Sequence, residues 1–246
     1  MISVCMATYN GSLYLKQQVE SILCQLTADD EIIISDDGST DDTLSVLAAF
    51  NDRRIKIYTH YKGNRVFPNS TAIVTANFEN AINQAKGDIL FLSDQDDVWL
   101  PNKVEVMRKY LTDYDLVISD AYVTDADLNI IHDTRFHDDC GQTKNIWKAF
   151  ISTHPYQGSC MAFRRNVLSK ALPFPREVRS HDTWLGFVGA FYFKTRVIPE
   201  KLIYYRRHEN VVSTTGEKSP YPLFTRIQSR LRYFRLLIAR MNHKGV

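Results

Sequence analysis

The chain has 246 residues, 44% of them hydrophobic and 24% charged, with 30 Lys and Arg against 28 Asp and Glu. These are ordinary values for a globular protein long enough to bury a substantial core as one α/β domain. No run approaches the ~18 apolar residues of a membrane span, and the amino terminus lacks a basic-then-apolar leader, so a cytoplasmic protein is expected. Cys5, Cys24, Cys140 and Cys160 show no paired spacing. They read as buried thiols of a reducing compartment, not as a zinc site or a disulfide framework.

Taken in chain order, Ile2–Thr8 reads as a buried strand running into Tyr9-Asn10-Gly11-Ser12. A helix follows with apolar residues at Leu15, Val19, Ile22, Leu23 and Leu26, the spacing of one helical face. Glu31–Ser35 is a second strand, ending in Asp36-Asp37-Gly38-Ser39-Thr40-Asp41-Asp42. Leu44, Val46, Leu47 and Phe50 mark a short helix, and Ile55–Tyr58 a third strand. Asp41 or Asp42 suits a helix N-cap, with Gly38 shaping the turn. Strands that are apolar throughout and alternate with helices imply a parallel sheet covered on both faces. Ligands of such sheets bind beyond the carboxyl ends of the strands.

Ile89–Ser93 is the next strand, and it empties into Asp94-Gln95-Asp96-Asp97-Val98-Trp99. Two like charges about 4 Å apart repel by roughly 4 kcal/mol near a protein surface. A fold tolerates this if the carboxylates face water or a cation sits between them. In an extended chain Asp94 and Asp96 share a side. Hard oxygen ligands with few His or Cys nearby favour Mg²⁺ or Mn²⁺ completed by substrate phosphates, so the motif suggests a metal–diphosphate site. The competing reading is an acidic turn capping the helix that begins near Pro101. Thr8-Tyr9-Asn10, Asp36-Asp37 and Asp94–Asp97 all fall at strand carboxyl ends, which favours a ligand site.

In the second half, Tyr156–Phe163 reads as a strand opening on a small polar turn. Arg179-Ser-His181-Asp182-Thr-Trp184 begins an apolar stretch that reads as a buried helix to Phe193. Its first-turn Asp182 suits the helix dipole, an effect worth about 0.3–1 kcal/mol. Residues 133–145, rich in Asp, His, Gly and Gln, are the candidate mobile loop. From Gly216 onward seven Lys or Arg face one Glu, a charge of +6 that leaves −4 for residues 1–215. Ile227, Leu231, Phe234, Ile238 and Met241 form a helical stripe there, widened by Leu223, Phe224, Leu236 and Leu237. This basic amphipathic helix has three open readings: on an anionic membrane surface, paired with a second copy as a homodimer seam, or docked on its own domain. Nucleic-acid binding is not expected, because the basic groups sit on one tail of an acidic body.

Ala7-Thr-Tyr-Asn-Gly11, Asp36-Asp-Gly-Ser-Thr40 and Ser93-Asp-Gln-Asp-Asp-Val-Trp99, in that order and spacing, resemble family 2 glycosyltransferases of the GT-A fold. The last motif is similar to a branch that assembles bacterial O-antigen and capsular polysaccharide with rhamnosyl-, galactosyl- or glucosyltransferases. The resemblance covers roughly residues 1–212. It implies a Rossmann-like nucleotide-binding sheet flanked by helices in a catalytic domain at 1–215, and the amphipathic helix read from spacing follows at 216–246. The nucleotide part would be about 1–125 and the acceptor part about 126–215.

Carried over by position, the resemblance places Ala7 and Tyr9 along the nucleotide base and Asp37 on the pyrimidine, with Asp36 structural. Asp94 falls near the ribose and the metal, and Asp96 on the metal, an Mn²⁺ or Mg²⁺ ion. Asp97 and Trp99 fall on the donor-sugar or acceptor side, together with Gln157, Gly158 and His181. Asp182 matches the general base. Tyr204-Tyr-Arg206-Arg207-His208 is similar to a segment that meets the diphosphate, with Arg206 and Arg207 as its neutralising cations and His208 as a further metal ligand.

The implied activity is inverting transfer of one hexose or deoxyhexose from a nucleoside diphosphate sugar (UDP-galactose, UDP-glucose or dTDP-rhamnose). The implied acceptor is a lipid-linked or oligosaccharide sugar, on undecaprenyl diphosphate, at the inner leaflet of the cytoplasmic membrane. The chain lacks the Gln-x-x-Arg-Trp motif of processive members. A sugar nucleotidyltransferase shares nucleotide and metal binding, but Tyr9-Asn-Gly-Ser12 lacks the basic residue its first loop needs. A non-catalytic scaffold of a polysaccharide assembly complex would not need Asp96 and Asp182.

Overall fold

The computed structural model describes residues 1–61, 67–136, 156–178, 180–209 and 223–241, with side chains in the last segment from residue 227. The first apolar run forms β1 (Ile2–Thr8), followed by α1 (Ser12–Leu23), β2 (Glu31–Asp36), α2 (Thr43–Ala49) and β3 (Ile55–Thr59). Next come α3 (Ser70–Gln84), β4 (Ile89–Ser93), β5 (Val98–Trp99) and α4 (Lys103–Tyr110). The second half holds β6 (Leu116–Thr124), β7 (Ile130–His132), a 3-10 turn (Gly158–Cys160), β8 (Met161–Arg164) and α5 (Leu168–Ala171). It closes with α6 (His181–Tyr192), β9 (Thr195–Arg206) and α7 (Leu223–Arg240).

One nine-stranded sheet runs β3-β2-β1-β4-β8-β6-β9-β5, with β7 beside β6. β3, β2, β1 and β4 are mutually parallel. The expectation of a parallel sheet holds for these four strands and again for β6 and β9, which pair in parallel, but fails at β8, β5 and β7. β8 lies antiparallel between β4 and β6, and β5 is antiparallel to β9. The four residues between β4 and β5 are too few for a parallel crossover, which needs about a dozen, so β5 pairs with a distant strand. The expected strand at Tyr156–Phe163 is instead a 3-10 turn followed by a strand over Met161–Arg164.

Val4, Cys5, Met6, Ile32, Ile33 and Ile34 are fully buried in β1 and β2. Leu15, Val19 and Ile22 of α1 join the same core as Phe78, Ala81 and Ile82 of α3. β3 is the edge strand, and its Ile57 stays 43% exposed. Cys5 and Cys160 are buried free thiols, whereas Cys24 is free but exposed because it follows the last turn of α1. Cys140, Asn210–Ser213 and residues 137–145 of the expected mobile loop lie outside the described residues.

α7 docks on its own domain. Tyr233 and Leu237 are buried, with the Tyr233 ring 5.2 Å from Phe187 of α6. The Arg240 guanidinium donates to the carbonyls of Leu172 and Pro173, and Lys170 Nζ donates to the carbonyls of Arg240 and Met241. The docked face is one step around the helix from the stripe picked out by apolar spacing. Ile227, Leu231, Ile238 and Met241 of that stripe are 46–64% exposed. Among the described residues no helix is long and apolar enough to cross a membrane.

Candidate active site

The acidic motif is a turn between β4 and β5, not an extended strand, so strand alternation does not set the facing of Asp94 and Asp96. Gln18 Nε2 holds the turn from below through Ser93 Oγ at 2.6 Å and the Asp94 carbonyl at 3.1 Å. Gln95 reaches across to β1, where its amide accepts from Tyr9 N at 2.9 Å and donates to Tyr9 O at 3.0 Å. Gly11 makes that clamp possible, because a Cβ there would lie 2.3 Å from Gln95 Oε1. Asp96 Oδ2 meets His208 Nε2 at 3.0 Å, and the imidazole lies 4.8 Å from the Tyr14 ring.

Asp97 points inward and is fully buried, accepting from Arg206 N at 3.1 Å. Burial first, and then the charge of Asp96, push its carboxyl up to about 7. Burial and the charges of Asp97, Asp96 and Asp182 raise Asp94 well above the ordinary carboxylate range. Ser159 Oγ offsets part of the rise at both carboxylates, although it makes no hydrogen bond of good geometry. Lys103 supplies the nearby positive charge. Its burial lowers the ammonium to about 8 against the opposing pull of Cys160, Asp97 and Asp94.

On the nucleotide side, Ala7 is half-buried at the end of β1 and Tyr9 is 53% exposed just beyond it. Asn10 adopts a positive φ of 47°, and its side-chain oxygen accepts from Thr40 N at 2.8 Å. Asp36 is structural, accepting from Thr8 Oγ1, Gly38 N, Ser39 N and Ser39 Oγ. Asp41 binds the amides at the starts of both α1 and α2, through Ser12 N and Thr43 N. These bonds outweigh burial and hold its carboxyl down at about 2. Asp37 is buried against His60, with Oδ1 and Nδ1 2.7 Å apart. Asp37 and Asp94 thus stand at the carboxyl ends of the two strands that flank β1.

On the opposite side, Gln157 Nε2 lies 3.4 Å from Asp94 Oδ2, and Gln157 Oε1 accepts from Arg135 at 3.1 Å. A Cβ on Gly158 would lie 2.8 Å from His181 Nε2 and 3.7 Å from Asp182 Cβ. The turn therefore packs directly on the start of α6. His181 is buried, stacked 3.9 Å from Phe78, and neither ring nitrogen has a hydrogen-bond partner. Its burial lowers the imidazole below its ordinary value, against the opposing pull of Asp182. Asp182 is partly exposed, and its Oδ1 accepts from Thr183 N at 2.6 Å.

Two residues depart from their expected places. Trp99 is 2% exposed and packs 5.4 Å from Phe91, so it belongs to the core and is no platform for a sugar. Arg206 is buried. Its guanidinium donates to the Asp96 carbonyl, to Gln17 Oε1 and to the Ala126 carbonyl, and it lies 4.4 Å over the Tyr14 ring. That makes Arg206 a clamp behind the acidic turn and not an open diphosphate ligand. Arg207 is half-buried and donates its main-chain amide to the Thr124 carbonyl at 2.9 Å. Lys103, His60 and Gln18 stand beside the candidate site outside the sequence motifs, and Gln95 lies within one that assigns it no role. Only Lys103 carries a local signal: it heads the stripe Lys103, Met107, Leu111, at a spacing of four that puts it on a buried face.

Among the described residues no group of three or more His, Cys, Asp or Glu is arranged to hold a metal ion. The Asp96–His208 pair, with Asp94 nearby, still fits Mg²⁺ or Mn²⁺, because these ions take few protein ligands and complete their shells with water and phosphate. The excess of negative charge that raises Asp94 and Asp97 points the same way.

Residues 3–172 match the family model described as Glycosyl transferase family 2. An uncharacterised glycosyltransferase of Nostoc sp. is 29% identical over 236 residues, covering 88% of this chain and 69% of that protein. UDP-Glc:alpha-D-GlcNAc-diphosphoundecaprenol beta-1,3-glucosyltransferase WfgD of Escherichia coli is 32% identical over 107 residues, 43% of this chain and 39% of that protein. Among solved structures, Staphylococcus aureus TarS 1–349 in complex with UDP-GlcNAc aligns with a TM-score of 0.64 at 16% identity, over 100% of this chain and 67% of that one. The mannosyltransferase PcManGT from Pyrobaculum calidifontis, in complex with GDP-Man and Mn²⁺, aligns with a TM-score of 0.61 at 14% identity, over 97% and 73%. At these identities the two structures speak for the fold, which is GT-A.

Proposed function

This chain belongs to glycosyl transferase family 2, and from that premise we propose that it is an inverting transferase of one hexose or deoxyhexose. The donor is a nucleoside diphosphate sugar, with UDP-glucose or UDP-galactose favoured over dTDP-rhamnose. The observation that carries this reading is the meeting of Asp94 with Gln157, whose neighbour Gly158 packs on the start of α6 beside Asp182, at the sheet edge where Asp96 meets His208. A donor between these groups would have its diphosphate beside Asp96 and His208, and its anomeric carbon toward Asp182. Tyr9 and Asp37 would face the base, and Arg207 the diphosphate.

Asp182 is the general base. It takes the proton of the acceptor hydroxyl as that oxygen attacks the anomeric carbon, and the bond from that carbon to the diphosphate breaks on the opposite face. One displacement inverts the configuration. Mn²⁺ or Mg²⁺ held by Asp96 and His208, with Asp94, would stabilise the charge developing on the departing diphosphate. Gln157 and Gly158 line the sugar side, and His181 backs the turn that carries them.

The acceptor proposed is a sugar on undecaprenyl diphosphate, in O-antigen or capsule assembly, a reading supported by the printed name of the Escherichia coli relative. The outward stripe of α7, with exposed Arg232 and Arg235 between its apolar residues, suits an anionic inner leaflet. Asp182→Asn should lower transfer by about 10²–10⁴-fold while UDP binding in Mn²⁺ persists, and Asp96→Ala should abolish the Mn²⁺ dependence of that binding. Near wild-type transfer by either variant with the true donor would refute the mechanism.

A further inference from the structure

Lys103 begins α4 and is fully buried, a rare and costly state for an ammonium group. Its Nζ donates to the Ser159 carbonyl at 2.6 Å and lies 4.8 Å from the Trp99 ring centroid. A methionine would fill that space without the cost of desolvation, so the charge and the donor call for a reason.

The reason lies in what Lys103 joins. Ser159 sits in the 3-10 turn whose neighbour Gln157 reaches Asp94 and whose Gly158 abuts His181 and Asp182. The same ammonium lies over the ring of Trp99, the residue that closes the acidic motif, and the charges of Asp97 and Asp94 in that motif attract it. One side chain therefore bonds to the acceptor-side turn and attracts the donor-side turn. Those turns are separated in sequence by about sixty residues and share no strand pairing except through β4 and β8. The two turns meet directly through Gln157 Nε2 and Asp94 Oδ2 at a long 3.4 Å, so the 2.6 Å bond from Lys103 to the Ser159 carbonyl is the shorter anchor of the acceptor-side turn.

We propose that Lys103 is a positioning residue that locks the Gln157–Cys160 turn against the acidic turn, setting the distance between the donor's anomeric carbon and the base Asp182. This rests on the transferase reading above. Lys103 touches neither substrate nor metal and acts through the Ser159 carbonyl. Its loss should therefore spare nucleotide binding and slow the chemical step.

The test compares the wild type with Lys103→Met, Lys103→Gln and Lys103→Arg. UDP binding in Mn²⁺ is measured by calorimetry. Slow hydrolysis of UDP-glucose, UDP-galactose or dTDP-rhamnose, with water replacing the acceptor, reports turnover. Lys103→Met should bind UDP as the wild type does, with kcat lower by about 10²-fold, the cost of a displacement near 1 Å. Lys103→Arg should recover part of that loss, since its guanidinium also donates to a carbonyl. Unchanged kcat would overturn the proposal, as would kcat, UDP affinity and Tm falling together. Failure of both Lys103→Met and Lys103→Gln to fold would assign the lysine to core stability and also overturn it. A wild type that neither binds UDP with Mn²⁺ nor hydrolyses any of the three donors would overturn the transferase reading itself.

Discussion

Asp97 is where the burial of charge becomes measurable. Its ordinary value is 3.8 and its folded value about 7, raised first by burial and then by Asp96. Between these values the folded protein holds a proton that the unfolded chain has released. Stability of the metal-free protein should therefore fall as pH rises from about 4 to 7. Asp97→Asn should flatten that slope, and parallel thermal melts of both proteins in chelator would check it. Gly11 offers a second residue-scale prediction. A Cβ there strikes Gln95 and breaks both bonds to the Tyr9 backbone. At about 0.5–1.5 kcal/mol per hydrogen bond, Gly11→Ala should weaken UDP binding several-fold or more, measurable by calorimetry. The acidic pairs were legible in the motif itself, whereas the burial of Asp97 and the stacking of His181 on Phe78 depend on neighbours far along the chain.

At the scale of elements, α7 divides into two faces with different expected consequences. Leu237 is fully buried against the domain, and Leu231 is 64% exposed. Leu237→Ala should destabilise the protein by about 2–5 kcal/mol, visible as a lower denaturant midpoint. Leu231→Ser should change stability by about 0.5 kcal/mol or less, yet weaken sedimentation with anionic vesicles. If vesicle binding were the same in the Leu231 variant, the outward stripe would have no membrane role. The amphipathic spacing of α7 was readable, but its period admits a broad apolar arc, and only packing on α6 selects Tyr233 and Leu237 as the inner side. α3 was not apparent from apolar spacing. Its cap, Asn69 accepting from Ala72 N at 2.9 Å, is a common turn residue, and Thr75 and Asn77 occupy buried positions where apolar residues would have signalled a helix.

For the whole molecule, the nucleotide is the informative ligand. A ligand at a hundred times its Kd stabilises the folded state by about 2.7 kcal/mol, which for a chain of this size raises Tm by roughly 5–10 °C. UDP should produce that shift in Mn²⁺ and a smaller one in chelator. Equal shifts with and without Mn²⁺ would remove the metal from the donor site, and a larger shift with dTDP or GDP would reassign the base.

The sequence alone determined the parallel half of the sheet and the side on which its polar clusters gather. Consecutive βα units are local, and their right-handed crossovers place every strand's carboxyl end on one edge. Tertiary structure decided the rest: His208 beside Asp96 across 112 residues, Arg206 withdrawn behind the acidic turn, Trp99 sunk into the core and Lys103 buried against the Ser159 carbonyl. Periodicity records which face of an element is apolar, not which distant element it will meet. A carboxylate's partner is therefore settled only when β8, β6 and β9 of the far half close the sheet and bring Arg206 and His208 to the acidic turn.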